Sequence, residues 1–307
     1  MNELLQIFVD NMIPVLAIAA VGAAMRRRFH IEPAGVSRMM FYVFSPALAF
    51  HALYTHDISG GEFLQVYAGT IALLGVIALI SYLLLRPLPI KPGERAATVV
   101  ASFVFNGANF GLSIVSFAFG AEALSYAVVV YVAGSTLAWT AGVFVSSQGA
   151  ASMKAALRNV VGTPVIYALA LAFGLKALGI DELPPALSRT SQLLADAAIP
   201  LMLTLLGLQL GGFKKPERLR LVMLGTGIRL LAAPLVAIAF ALLFSLEGAA
   251  RFAFIVQAGM PTAVLTLVLA HQFDTDRDLT LSFILTSTLI SPFTLTILIY
   301  LLRNGIV

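Results

Sequence analysis

Long apolar runs, separated by short clusters of charged and turn-forming residues, fill this chain. They fall at 4–25, 36–53, 63–85, 96–119, 124–145, 160–178, 190–210, 219–244, 252–271 and 279–302. Each approaches the roughly 20 apolar residues that a helix needs to cross the hydrocarbon core of a bilayer. The pattern predicts an all-α membrane protein with ten transmembrane helices and no room between them for a soluble domain.

Composition narrows the function classes. The 307 residues are 60% hydrophobic and 11% charged, with a mean hydropathy of +0.96, whereas a soluble domain carries roughly 25% charged residues. A cytosolic enzyme and an ATP-driven pump with its own nucleotide-binding domain are excluded. The chain has no cysteine, so disulfide and thiolate-metal chemistry are absent. Its four histidines, His30, His51, His56 and His271, lie at or near run ends, and neither H-E-x-x-H nor G-x-S-x-G occurs. An enzyme is therefore not expected, and neither is a metal or another cofactor.

The net charge of +4 gives an orientation and does not point to nucleic acid. Arg26, Arg27, Arg28, Arg38, Arg86, Lys91, Arg95, Lys154, Arg158, Lys214, Lys215, Arg218, Arg220 and Arg277 all fall in odd-numbered loops or at the run ends that border them. Only Lys176, Arg189, Arg251 and Arg303 lie on the other side, and Arg229 sits inside a run. Basic residues collect on cytoplasmic loops, which places both termini outside the cell (inner) membrane of a multi-pass protein. The first run, followed by Arg26–Arg28 with no basic residue before it, reads as an anchor inserted amino end out.

The two halves resemble each other. Ile13-Pro14-Val15 recurs as Thr163-Pro164-Val165, Ser45-Pro46 as Ile199-Pro200, and Ala118-Phe119 with Leu124 as Gln272-Phe273 with Leu279. The offset drifts smoothly from 150 to 155, which predicts a five-helix unit over 1–145, a short cytoplasmic linker over 146–159 and a second unit over 160–307. Five is odd, so the second unit is inverted relative to the first. Inverted repeats are an architecture of secondary transporters.

Two runs are broken at matching positions. The fourth carries Asn106-Gly107-Ala108-Asn109-Phe110-Gly111, and the ninth carries Gln257-Ala258-Gly259-Met260-Pro261-Thr262. Non-helical backbone at bilayer depth is tolerated only where protein buries it or it lines a cavity. Half-helices opening after such breaks present unpartnered N–H groups that attract an anion. The expected donors are Thr262 and Ala263 after Pro261, and Gly111, Leu112 and Ser113 in the fourth run, joined by the Asn106 and Asn109 amides.

The segment Asn106-Gly107-Ala108-Asn109-Phe110-Gly111-Leu112-Ser113 resembles the N-x-G-N-Y-G-L-P signature of the auxin efflux carrier family of bacterial and plant transporters. Gln257-Ala258-Gly259-Met260-Pro261-Thr262-Ala263-Val264 is similar to that family's ninth-helix motif, Asp196-Ala197-Ala198-Ile199-Pro200 to its seventh helix, and Arg229-Leu230 with Pro234 to its eighth. The resemblance implies a fold like that of the bile-acid symporters, with crossover helices 4 and 9, a scaffold of helices 1, 2, 6 and 7 and a moving transport domain of helices 3–5 and 8–10. It further implies a homodimer through the scaffold, transport of small organic anions such as auxin-like carboxylates or dicarboxylates, and contact between Asn106 and the substrate carboxylate. Ala108 and Ser113 depart from the family's Gly and Pro, so a softer fourth-helix break is expected.

The expected substrate site comprises Asn106, Asn109, Gly111, Ser113, Pro261 and Thr262. Arg229, deep in the eighth run, needs a partner, because a lone charge there costs about 2.5–3.5 kcal/mol on insertion scales. Asp196 and the carbonyls of the broken ninth helix are the two candidates. No Asp or Glu occurs in the fourth, fifth, ninth or tenth run, which argues against a proton carrier there. A sodium-coupled symporter and a non-transporting ligand sensor are the alternatives.

Overall fold

The computed structural model describes residues 3–150, 153–211 and 218–307; Lys214 and Lys215, and residues 151–152 of the expected linker, lie outside the described residues. The described chain is helical, and its only β-pairing is one isolated antiparallel bridge. In the first half the helices are α1 (Glu3–Ile7), α2 (Ile13–Phe29), α3 (Pro33–Met39), α4 (Ser45–Thr55), α5 (Gly60–Leu85), α6 (Pro92–Phe103), α7 (Ser113–Leu137) and α8 (Val143–Ser146). The second half holds α9 (Met153–Val161), α10 (Pro164–Ala177), α11 (Pro185–Leu210), α12 (Leu219–Gly227), α13 (Ala233–Leu243), α14 (Gly248–Ala258), α15 (Leu265–Gln272) and α16 (Arg277–Arg303).

Among the described residues, six helical stretches are long and apolar enough to cross a membrane: Glu3–Phe29, Gly60–Leu85, Gly107–Ser146, Pro185–Leu210, Leu219–Leu243 and Arg277–Arg303. The third of them is divided at Gly120, whose φ of +80° turns the chain where an L side chain is strained. The remaining expected runs are helical in shorter pieces. Large apolar side chains such as Leu64, Leu187 and Leu235 stand exposed on the outer surface, where lipid rather than water is the compatible solvent.

Proline explains most of the irregularity inside the long helices. Wide π-turns at Phe8–Met12, Met40–Phe44 and Ile228–Ala232 immediately precede Ile13-Pro14, Ser45-Pro46 and Ala233-Pro234. The residue before each proline donates to the carbonyl five residues back: Ile13 to Phe8, Ser45 to Met40 and Ala233 to Ile228. A proline ring clashes with the carbonyl four residues back, and the widened turn makes room for it.

Helices α2, α4, α10 and α11 pack on one another, and α5, α6, α7, α12, α13, α14 and α16 form a second group. Within the first group Gly22 and Gly207 bring two backbones together. A Cβ on Gly207 would sit 1.8 Å from the Ala19 carbonyl oxygen, and one on Gly22 would sit 2.1 Å from that of Thr204. Close approach through small residues is how membrane helices gain packing energy without a hydrophobic drive between them. Arg26 locks the same pair, donating to the Leu208 carbonyl at 2.7 Å.

Candidate functional site

The two breaks meet. Helix α6 stops at Phe103, and residues 104–106 run extended antiparallel to residues 261–263, with Phe105 bridged to Thr262. The Asn106 N–H donates to the Pro261 carbonyl at 2.7 Å, and the Ala263 N–H donates to that of Val104 at 3.0 Å. Each broken segment thereby supplies the backbone partners the other has lost, which buried backbone requires. The fourth-helix break is complete although Ser113 replaces the family's proline, so the expected softening does not occur.

The crossing occupies donors that the sequence suggested would be free. Thr262 N–H donates to the Ser287 hydroxyl at 3.1 Å, and the Thr262 hydroxyl donates to Ala101 O at 2.8 Å. In the fourth helix the N–H groups of Gly111 and Ser113 donate to the Asn106 and Phe110 carbonyls. The second half-helices begin elsewhere, at a π-turn over Gly107–Leu112 and at α15. The opening turns of the second half-helices hold Ala108 and Asn109 in one half and Val264 and Leu265 in the other, where the first N–H groups of a helix have no intrahelical acceptor. Ser287→Ala would leave the buried Thr262 N–H without an acceptor and is expected to cost about 1–3 kcal/mol. A thermal melt checks this; a wild-type melting temperature would mean that the N–H has another acceptor.

All four of these residues line one cavity of about 420 Å³ between the two helix groups. Asn106 lies at the crossing, 5% exposed, and its amide nitrogen has no partner. Asn109 is half-buried beside it. The walls are Tyr131, Ser135, Ala138 and Trp139 on one side, and Phe41, Tyr42, Ser45, Leu205 and Gln209 on the other, with Arg38 exposed to solvent. Of the expected site residues, Asn106 and Asn109 line the cavity, while Pro261 and Thr262 lie behind it in the crossing.

Gly111 and Ser113 face away from it. A Cβ on Gly111 would stand 2.2 Å from the Gln257 side-chain oxygen, and Ser113 is fully buried with an unpartnered hydroxyl. Gln257, also fully buried, spans the crossing by donating to the Gly107 and Ala127 carbonyls, each at 3.3 Å. Its place in the ninth-helix motif was visible in the sequence, but its bridging role was not. Trp139, the sole tryptophan, was the available signal for the aromatic wall.

Arg229 does not pair with Asp196, which is exposed on α11. Its guanidinium donates to the carbonyls of Ser102 at 3.2 Å and Phe103 at 3.3 Å, and to that of Ala258. The carbonyl alternative is therefore correct, and it extends to both broken helices.

Comparison with known proteins identifies the family. A family model described as "Membrane transport protein" matches residues 7–159 and 150–299. An uncharacterized transporter of Methanothermobacter thermautotrophicus is 29% identical over 259 residues, 83% of this chain and 84% of that protein. An uncharacterized transporter of Methanocaldococcus jannaschii is 22% identical over 283 residues, 88% and 89% of the two chains. The chain is thus a multi-pass membrane transporter and not an enzyme, and it belongs to the membrane transport protein (Mem_trans) family, the auxin efflux carriers whose broken-helix motifs it carries.

Proposed function

We propose that the protein is a secondary transporter of a small organic anion, with the carboxylate seated where the two second half-helices open into the cavity. One observation carries this reading: Asn106, whose buried amide nitrogen has no partner, and the opening turns of both second half-helices line the same cavity. Each helix N-terminus contributes roughly half a positive charge, so two of them complement one carboxylate. The apolar and aromatic walls suit an organic body attached to it.

In this reading the chain crosses the inner membrane ten times as two inverted five-helix units, with both termini extracytoplasmic. The group α2, α4, α10 and α11 is the scaffold, through which two copies form a homodimer, and the second group moves against it as an elevator or by rocking. The cavity lies between the groups, as alternating access around a midplane site requires. Arg38 belongs to the loop that the positive-inside pattern assigns to the cytoplasm, so the conformation described is open inward.

The test is a panel of acetate, benzoate, malate and indole-3-acetate added to the purified protein while its melting temperature is followed. At a hundredfold excess over Kd a ligand stabilises by about 2.7 kcal/mol, a shift of several degrees. Matched uncharged amides are expected to give none. Equal shifts with amides and acids would contradict an anion site, and binding without flux in proteoliposomes would make the protein a sensor.

A further inference from the structure

Arg229 is the one charged side chain in the buried core of the described residues, with 0% exposure. No carboxylate among the described residues forms an ion pair with it; its polar contacts there are three backbone carbonyls, and its guanidinium carbon lies 5.7 Å from the Phe105 ring centroid. Ser102 and Phe103 end α6, and Ala258 ends α14. Both first half-helices therefore point their carbonyl ends at one guanidinium. Each C-terminus carries roughly half a negative charge, so the two together present about −1 to a fixed +1.

A cage of carbonyl oxygens at converging helix ends is a ligand set that suits a hard cation such as sodium. Here the cage is already filled. The Ser287 hydroxyl, which meets the crossing at Thr262, is committed as acceptor to the Thr262 N–H and as donor to the Phe283 carbonyl at 2.7 Å. We propose that Arg229 is a built-in counter-cation at the crossing, taking the position an inorganic ion would hold, so that the folded crossover needs no bound sodium or potassium. The consequence for transport, substrate movement without alkali-cation coupling at this site, rests on the transporter reading above, but the cage itself does not.

The experiment needs no substrate. The purified protein is melted in equal concentrations of sodium, potassium and choline chloride, and Arg229→Ala is melted in the same salts and with millimolar methylguanidinium chloride. The wild type is expected to melt at one temperature in all three salts. Arg229→Ala is expected to melt several degrees lower in choline and to recover part of that loss with methylguanidinium or sodium, which refill the cage. Sodium-selective stabilisation of the wild type overturns the proposal, as does a folded Arg229→Ala that melts like wild type or responds to neither ion. Where Arg229→Ala does not fold, Arg229→Lys, which keeps the charge, is expected to be cation-insensitive, and sodium-selective stabilisation of it overturns the proposal. An absent carboxylate response would overturn only the substrate reading.

Discussion

Gly207→Val is expected to prevent recovery of a stable, monodisperse protein. The first side-chain carbon at that position would lie 1.8 Å from the Ala19 carbonyl oxygen and 2.9 Å from the Ala23 nitrogen. Both are backbone atoms, so no rotamer change relieves the clash and α2 must move away from α11. Such separation also pulls the Leu208 carbonyl from Arg26 and opens the contact that Gly22 makes with Thr204. Overpacking of a tight interior costs about 1–3 kcal/mol when side chains can adjust, and a backbone against a backbone belongs at or above the top of that range. Gly75→Ala is the matched control: it lies inside α5 with nothing within 4 Å of the added carbon, and alanine is the better helix former. Size-exclusion profiles and thermal melts compare the two; a Gly207→Val protein melting within a few degrees of wild type would refute the close-packed pair.

Asn106→Ala is expected to separate function from stability. The amide nitrogen of Asn106 is buried without a partner, so its removal deletes an unsatisfied donor and leaves folding unharmed or slightly improved. In the proposed anion site its loss would remove a charge-assisted hydrogen bond worth about 1.5–3 kcal/mol, a roughly tenfold to hundredfold fall in affinity. Carboxylate flux at low substrate concentration in proteoliposomes is expected to fall by that factor while the melting temperature holds. Unchanged flux would remove Asn106 from the site, whereas a large drop in melting temperature would give it a structural role.

Periodicity and punctuation made the helical architecture and the positions of the breaks legible. Proline at 14, 46 and 234 and the glycine-asparagine cluster at 106–111 mark where the helices deform. The donors were harder to place, because they depend on tertiary partners. Pro261 suits the first position of a helix, but its neighbours Thr262 and Ala263 have their N–H groups taken by Ser287 and Val104, and α15 opens only at Leu265. In the other half, Gly111 lies inside the π-turn, since the extended bridge ends at Asn106 and the turn starts at Gly107.

Arg229 illustrates the same limit. Charge complementarity points to Asp196, yet the seventh-run aspartate is exposed, and helix-end carbonyls, which no residue type signals, are the actual acceptors. The aromatic wall at Phe41, Tyr42 and Trp139 comes from segments far apart in the sequence, brought together only by the packing of the two groups.

The seating of an anion at the crossing of the two broken helices is tested most directly by a cryo-electron microscopy structure with a bromine-labelled carboxylate such as 4-bromobenzoate. The account predicts the carboxylate within hydrogen-bond distance of the Asn106 amide and of the N–H groups of Ala108, Asn109, Val264 or Leu265, with the bromine toward Trp139. Density for the carboxylate at the Arg229 cage, or in the lipid-facing groove between Leu230 and Leu301, with the crossing cavity vacant, would contradict it.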